Sequence, residues 1–312
     1  MTVKVAILMD HISTVDVNGD STFLLALESQ RRNHELYHFE PKNLYVKNSL
    51  ALATVQKLVV RKTSSNHFTL GPKQSIQLSK FDVILMRQDP PFDMSYITAT
   101  HILELVTHNT VVVNNPAEVR NSPEKLLMLQ YPDLIPPTLI SNEINLIKEF
   151  RDEYKDIIIK PLYGNGGTGV FHITEADENL HALVEMFMSF CAEPLIIQKY
   201  LPEVRNGDKR IILIDGEPKG ATNRIPASGE ARSNMHVGGQ AEKSKLTERD
   251  FEICTTIGPE LQRRGLIFVG IDVIGKYLTE INVTSPTGLQ EINRFDKTNL
   301  ESSIWDAIEF RL

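Results

Sequence analysis

Apolar residues recur along the chain in two ways, as short continuous runs and as three- to four-residue repeats, and their alternation predicts the elements. The run VKVAILM at residues 3–9 reads as a buried strand, and residues 21–32 read as a helix with Phe23, Leu24 and Leu27 on one face. The segment FDVILMRQDPPFD predicts a strand over 83–86 that runs into charged residues and then Pro90 and Pro91, where pairing stops. A helical stretch over 96–107 leads into a strand over 111–113. This β-α-β-α-β order implies a small parallel α/β sheet whose strand ends are the place to look for ligand contacts.

The turn-rich stretch NNPAEVRNSPEK places a boundary near Ser122, so residues 1–121 form the first unit. From Pro123 a helix is expected through Lys125 and Leu129 until Pro132. A smaller α+β unit, 122–200, then holds a strand to Lys160, a glycine loop, a strand to Thr174, a helix over 179–190 and a strand over 195–199. The last unit, 201–312, is strand-rich: KRIILIDGEP signals a hairpin through Asp215-Gly216, and LIFVGIDVIGKYLTEINV reads as two strands joined at Gly275-Lys276. Between them IPASGEARSNMHVGGQAE is a long polar, glycine-bearing loop of the kind that serves as a lid.

Gly164, Gly166 and Gly169 in KPLYGNGGTGVFHI have the spacing G-x-G-x-x-G of a dinucleotide-binding turn. That turn must open a helix. Here Val170, Phe171, His172, Ile173 and Thr174 follow, β-branched or aromatic, and Ile157–Ile159 precede. The glycines therefore sit between two strands as a hairpin cover, which excludes a nicotinamide oxidoreductase of that fold.

Composition narrows the function classes. The chain of 312 residues is 41% hydrophobic and 23% charged, ordinary for a globular protein of two or three units. A formal net charge of -7 argues against nucleic acid, whose general affinity comes from phosphate neutralisation. Cys191 and Cys254 are far apart and lack metal-ligand neighbours, so both are expected to be buried thiols. The N-terminal MTVKVAILMD reaches Asp10 before attaining signal-peptide or membrane-span length, which implies no membrane association and a cytoplasmic protein.

The chemistry-bearing residues form three groups. Asp272, Glu280 and Asn282 are hard oxygen donors among apolar neighbours, a composition that suits Mg²⁺ alongside water and substrate phosphates. Glu280 and Asn282, two apart on one strand, share a face. A two-residue loop at Gly275-Lys276 would pair Asp272 with Thr279 and turn Glu280 away, so convergence requires a three-residue loop or a bulge. The same acids also suit the solvent-facing half of an amphipathic hairpin. Lys125 and Lys160 are candidate phosphate cations; Lys160 ends an apolar strand and precedes the glycine loop, where Gly166 and Gly167 let backbone N–H groups approach phosphate oxygens. Arg210, Arg224 and Arg232 lie beside turns or in the long loop and suit anionic substrate groups. No Walker pattern occurs, the histidines, His172 and His236 included, are scattered, and no local Ser-His-Asp or Cys-His arrangement is present.

These residues resemble the ATP-grasp ligases, and among them the bacterial glutathione synthetases. The resemblance runs over nearly the whole chain, through ILMRQDPPFD, KPLYGNGGTGVF, QKYLP, NGDKRIILIDGEP, RIPASGEARSNMHVGGQAE and GLIFVGIDVIGKYLTEINVTSPTG. It implies an N-terminal parallel α/β (pre-ATP-grasp) domain followed by a two-part α+β ATP-grasp domain, acting on ATP, γ-glutamylcysteine and glycine with Mg²⁺, or Mn²⁺, through an acyl phosphate on the cysteinyl carboxylate. It also implies a homo-oligomer, a tetramer. ATP phosphates would lie on Lys125, Lys160, Gly164, Gly166, Gly167 and Gly169. Adenine would lie along Gln198, Lys199, Tyr200 and Leu201, and ribose near Asp208. The metal would lie on Asp272, Glu280 and Asn282. Arg210, Arg224 and Arg232 would neutralise phosphate and peptide carboxylates, with Arg87 and Ser285 also facing substrate. Tyr163 stands where the family carries an aspartate, Gln88 where a lysine follows the arginine, and Gln290 where an arginine is common. Other ATP-grasp ligases and a nucleotide-binding regulator without turnover are the competing readings.

Overall fold

The computed structural model describes residues 2–227, 232 and 238–312. Its first sheet contains β1 (Lys4–Leu8), β2 (Glu35–Phe39), β3 (Leu44–Lys47), β4 (Leu50–Val60), β5 (Phe68–Gln77), β6 (Val83–Met86) and β7 (Val111–Val113), in the order β3-β4-β2-β1-β6-β7 with β5 also on β4. The central β2, β1, β6 and β7 are parallel; β1, β6 and β7 are the strands of the predicted β-α-β-α-β pattern, and β2 is an additional strand. The continuous apolar runs of β1, β6 and β7 follow from burial on both faces. The sheet is nevertheless mixed. β4 runs antiparallel to β2 and carries β3 and β5, an extension the periodicity reading lacks. Half of the residues of β5 are exposed and none is buried, so it offers little apolar alternation to detect.

The helices are α1 (Ser21–Arg31), α2 (Met94–Glu104), α3 (Pro116–Arg120), α4 (Ile144–Tyr154), α5 (Leu180–Met188), α6 (Glu248–Arg263), α7 (Leu289–Asp296) and α8 (Leu300–Glu309). The Asp20 carboxylate caps α1 by accepting from Phe23 N, and Asp93 caps α2 by accepting from Tyr96 N. Leu25 as well as Phe23 and Leu24 is buried in α1, which has no single apolar stripe. α8 packs on its other side, where Trp305 Nε1 donates to Leu25 O at 2.9 Å. The C-terminal helix thus tethers the last unit to the first.

The helix expected from Pro123 to Pro132 does not form; only a 3₁₀ turn, Leu127–Gln130, is present. An α-helix would turn the Glu124 carbonyl toward residue 128. Instead it accepts from Ile281 N at 3.0 Å, and Leu134 O accepts from Leu278 N at 2.8 Å. The segment therefore folds through successive turns with Glu124 and Leu134 pinned to an open strand edge, where those N–H groups would otherwise lack partners.

The second sheet has β8 (Thr138–Ser141), β9 (Ile157–Pro161), β10 (Phe171–Ile173) and β11 (Leu195–Lys199), ordered β10-β9-β11-β8. β9 and β10 are antiparallel, so the glycine loop is the tip of a hairpin as its flanking residues imply. The third sheet has β12 (Asp208–Ile214), β13 (Glu217–Ile225), β14 (Gln240–Lys243), β15 (Phe268–Ile274) and β16 (Tyr277–Asn282), ordered β14-β13-β12-β15-β16. Of the loop expected to act as a lid, residues 228–231 and 233–237, His236 among them, lie outside the described residues.

Cys254 is buried in α6, and that burial pushes its thiol up to about 12. Cys191 departs from the expectation of burial: it follows the end of α5 and is partly exposed. At about pH 8 a thiol reagent is expected to titrate Cys191 quickly and Cys254 only after denaturation. Two fast thiols in the native protein would contradict the packing of α6.

Candidate active site

Strand register puts Asp208, Arg210, Arg224, Asp272 and Glu280 of the third sheet on one face. Asp208 pairs with Arg224, Arg210 with Asp272, Asp272 with Glu280, and Gly270 with Asn282. Asp208 and Arg210 are two apart, as are Glu280 and Asn282, so each pair points the same way. The β15–β16 turn has two residues, Gly275 and Lys276, and alone would bring Thr279 opposite Asp272. A register shift between Asp272 and Val273 restores Glu280 to that place. Of the two solutions open to the sequence, a three-residue loop or a bulge, the fold takes the bulge. Thr279, displaced from the pairing, donates its hydroxyl to Asp272 O at 3.1 Å.

The electrostatics of this face are tightly matched. Arg210 grips Asp272 with two parallel bonds, Nε to Oδ1 at 2.6 Å and Nη2 to Oδ2 at 3.0 Å. Arg224 Nη2 reaches Asp208 Oδ2 at 2.6 Å and Asp272 Oδ1 at 3.0 Å. Burial alone would raise the Asp272 carboxyl, but the two guanidinium groups reverse this and hold it well below the usual carboxylate range. Glu280 behaves alike: burial opposes its ionisation, and the Lys125 and Lys160 ammonium groups overcome the penalty. Their Nζ atoms lie 3.7 and 3.3 Å from Glu280 Oε1. Asn282 Nδ2 donates to Asp272 Oδ2 at 3.4 Å, which joins the third oxygen-bearing side chain to the group. Gly270 makes room for this arrangement: a Cβ there would lie 3.0 Å from Pro286 Cβ and 3.1 Å from Arg210 Cδ.

Above this face the glycine hairpin closes a cleft. Gly166, Gly167 and Gly169 have φ of 61, 81 and 72°, left-handed conformations that β-carbons disfavour. The cleft is lined by Lys125, Lys160, Gly164, Gly166, Gly167, Gln198, Lys199, Tyr200, Leu201, Asp208, Arg232, Asp272 and Glu280. Most residues singled out in the sequence thus meet in one place. Gly169 shapes the hairpin without lining the cleft. Arg210, Arg224 and Asn282 stand beside it, joined to Asp272. Lys125 Nζ donates to Gly164 O, and Arg232 Nη1 donates to Gly167 O at 3.4 Å, so both cations tie the hairpin to the rest of the site.

Arg87 lies outside the cleft lining but is linked to it. Its Nη2 donates to Pro286 O at 2.9 Å, while Arg210 Nη1 donates to the next carbonyl, Thr287 O, at 3.2 Å. Two guanidinium groups thus flank one loop, with half-buried Ser285 beside them. Arg87 is only 5% exposed, and its Nη1 has no hydrogen-bond partner among the described residues. Gln88 is buried in the same way, with Oε1 unpartnered. Gln290 has a structural role, donating Nε2 to Val17 O at 3.1 Å and Asp20 O at 2.8 Å. His172 is stacked on Tyr200, with ring centroids 3.8 Å apart, at the cleft edge.

Glu124 is the residue that sequence reading overlooked. Thr284 donates its hydroxyl to Glu124 Oε1 at 2.7 Å, and burial together with repulsion from Glu280 raises the Glu124 carboxyl. Its one local signal is adjacency to Lys125 in SPEK. The contact itself spans 160 positions.

The donor set is chemically suited to a divalent ion. Two carboxylates and an amide converge on one face, all hard oxygen ligands of the type Mg²⁺ and Mn²⁺ take. Lysines and arginines on the same oxygens supply the compensating charge that an anionic, metal-bearing nucleotide would otherwise lack.

Comparison with known proteins accords with this geometry. Residues 3–120 match the N-terminal domain of prokaryotic glutathione synthetase, and residues 124–297 match its ATP-grasp domain. The chain is 58% identical over 311 residues to a glutathione synthetase of Brucella melitensis, covering 100% of both chains. It is 56% identical over 309 residues to one of Mesorhizobium japonicum, covering 99% of each. Among solved structures it is similar in fold to the D-cycloserine synthetase DcsG, with a TM-score of 0.69, 13% identity and 99% of each chain covered. The D-alanyl-alanine synthetase A of Vibrio cholerae gives a TM-score of 0.64 at 15% identity, with 99% of this chain and 98% of that one covered.

Proposed function

Because this chain belongs to the prokaryotic glutathione synthetase family and is thus an ATP-dependent ligase that forms glutathione, we propose how its cleft residues divide that work. Lys125, Lys160 and the backbone N–H groups of the glycine hairpin hold the ATP phosphates, the segment from Gln198 to Leu201 holds the base, and Asp208 the ribose. Asp272, Glu280 and Asn282 hold Mg²⁺ or Mn²⁺. The ion's contribution when bound is Lewis-acid polarisation of phosphoryl oxygens.

A carboxylate is a poor electrophile, so the cysteinyl carboxylate of γ-glutamylcysteine attacks the γ-phosphorus and ADP leaves. The glycine amine, as the free base, then attacks the acyl carbonyl, phosphate departs, and the amine's remaining proton goes to solvent. Arg210, Arg224 and Arg232 stabilise charge on the transferring group, a preorganised electrostatic role that needs no protein nucleophile. Arg87, with its unpartnered Nη1, and Ser285 face the peptide. The glycine hairpin keeps water from the acyl phosphate. The units run 1–121, 122–200 and 201–312, and the protein acts in the cytoplasm as a homo-oligomer, a tetramer. Among the described residues no helix is long and apolar enough to cross a membrane.

The observation that carries this reading is the bulged Asp272–Glu280 pair, on whose Glu280 Oε1 both lysines converge beneath the hairpin. The test is ADP release with γ-glutamylcysteine, glycine, both and neither. Release is expected to require the dipeptide, glycine and a divalent ion together. Equal release with D-alanine alone would instead indicate one of the competing ligase activities.

A further inference from the structure

The glycine hairpin meets the first unit through aromatic rings. Tyr163, immediately before Gly164, is stacked on Phe92 with centroids 6.1 Å and planes 21° apart. Phe92 in turn lies 5.1 Å from Tyr96. Phe92 follows Pro90 and Pro91 on the loop that leaves β6, and paired prolines fix φ and stiffen that loop. Tyr96, in the first turn of α2, is buried in the core. The hairpin's ring therefore rests on an anchored surface, yet at 37% exposure Tyr163 itself is not part of the core.

Two cations also tie the hairpin, Lys125 on Gly164 O and Arg232 on Gly167 O. Both are proposed above to serve the phosphates, so each of these ties is open to exchange when ATP binds. The Tyr163–Phe92 contact uses no charge and no group that holds substrate, and it can persist through that exchange. Stacked aromatic pairs add attraction beyond their buried area. Tyr163 is also three residues before Gly166, the first of the left-handed glycines at the hairpin tip.

We propose that Tyr163 and Phe92 form a latch between the glycine hairpin and the N-terminal unit, positioning residues that keep the hairpin shut while the acyl phosphate waits for glycine. This rests on the function proposed above. Without the latch, the hairpin opens before glycine attacks, water hydrolyses the acyl phosphate, and ATP is consumed without ligation.

The test is the ratio of ADP released to glutathione formed, measured in full-length protein with all substrates. Tyr163→Ala is expected to raise the excess of that ratio over one, the futile hydrolysis, about three- to tenfold, the range of one aromatic pair, and Tyr163→Phe to leave it near the wild-type value. Phe92→Ala should raise it similarly, and the double variant should add little, as for two residues that act through one contact. Circular dichroism and thermal unfolding of each variant show whether Phe92→Ala has simply unfolded; Tyr163→Ala, at an exposed position, then carries the test alone. Unchanged ratios in folded variants, or strictly additive effects, would overturn the latch. A wild-type protein that forms no glutathione would overturn the parent reading instead.

Discussion

Glu280→Gln is expected to lower glutathione formation by about 10²–10³-fold, the scale of removing one preorganised electrostatic group from a phosphoryl- or acyl-transfer site. The substitution preserves shape and removes one negative charge. Glu280 is where Lys125 and Lys160 converge, at 3.7 and 3.3 Å, and it faces Asp272 across the bulge. A neutral amide weakens the metal donor set and also frees both ammonium groups from their shared partner. Lys160→Ala is expected to have an effect of similar size through the phosphates. Initial rates at saturating substrates, with divalent ion varied, provide the measurement. Activity within about tenfold of wild type would show that Glu280 holds no metal, and would remove the central support of the proposed site.

The second large effect concerns stability. Arg224→Met is expected to destabilise the third sheet by about 3–5 kcal/mol, because it breaks a buried ionic group by deleting one partner. Asp208 loses the guanidinium on Oδ2, and Asp272 loses one of its two guanidinium partners, keeping Arg210 and the Asn282 amide. Urea unfolding at neutral pH measures the loss, and a shift under about 1 kcal/mol would mean that this network behaves like a solvent-exposed one.

The pH dependence has a definite sign. Asp272 is held below its ordinary value, so its ionised form stabilises the fold at any pH above the unfolded value of about 4. That contribution disappears as pH falls through the depressed folded value. Wild-type protein should therefore lose stability in acid below about pH 4, and Arg224→Met should show a shallower acid decline, since less of that shift remains to be lost.

Local signals in the chain were sufficient for much of the architecture. Each parallel strand of the first sheet but β2 shows an apolar run that needs no distant partner to be read. Asp215-Gly216 and Gly275-Lys276 mark their hairpins because few residues adopt the φ of 52–80° found at Asp215, Gly216 and Gly275. The β-branched residues after Gly169 distinguish a hairpin tip from a helix cap. Counting also shows that Glu280 can face Asp272 only through a three-residue loop or a bulge, and the fold uses the bulge.

Elsewhere distant contacts decided the outcome. The 123–132 segment has helical spacing, but Ile281 N on β16 takes the Glu124 carbonyl and Leu278 N takes that of Leu134 just beyond the segment, and burying those N–H groups unpaired would be costly. The pairing of Glu124 with Thr284, and of Tyr163 with Phe92, brings together residues whose identities carry no trace of one another. By itself, then, the chain determined which side chains could perform the chemistry and which way each strand turns them, because strand and turn geometry is local. Only the folded protein decided which of them touch, because that depends on competition among partners for the same buried hydrogen bonds and the same packed space.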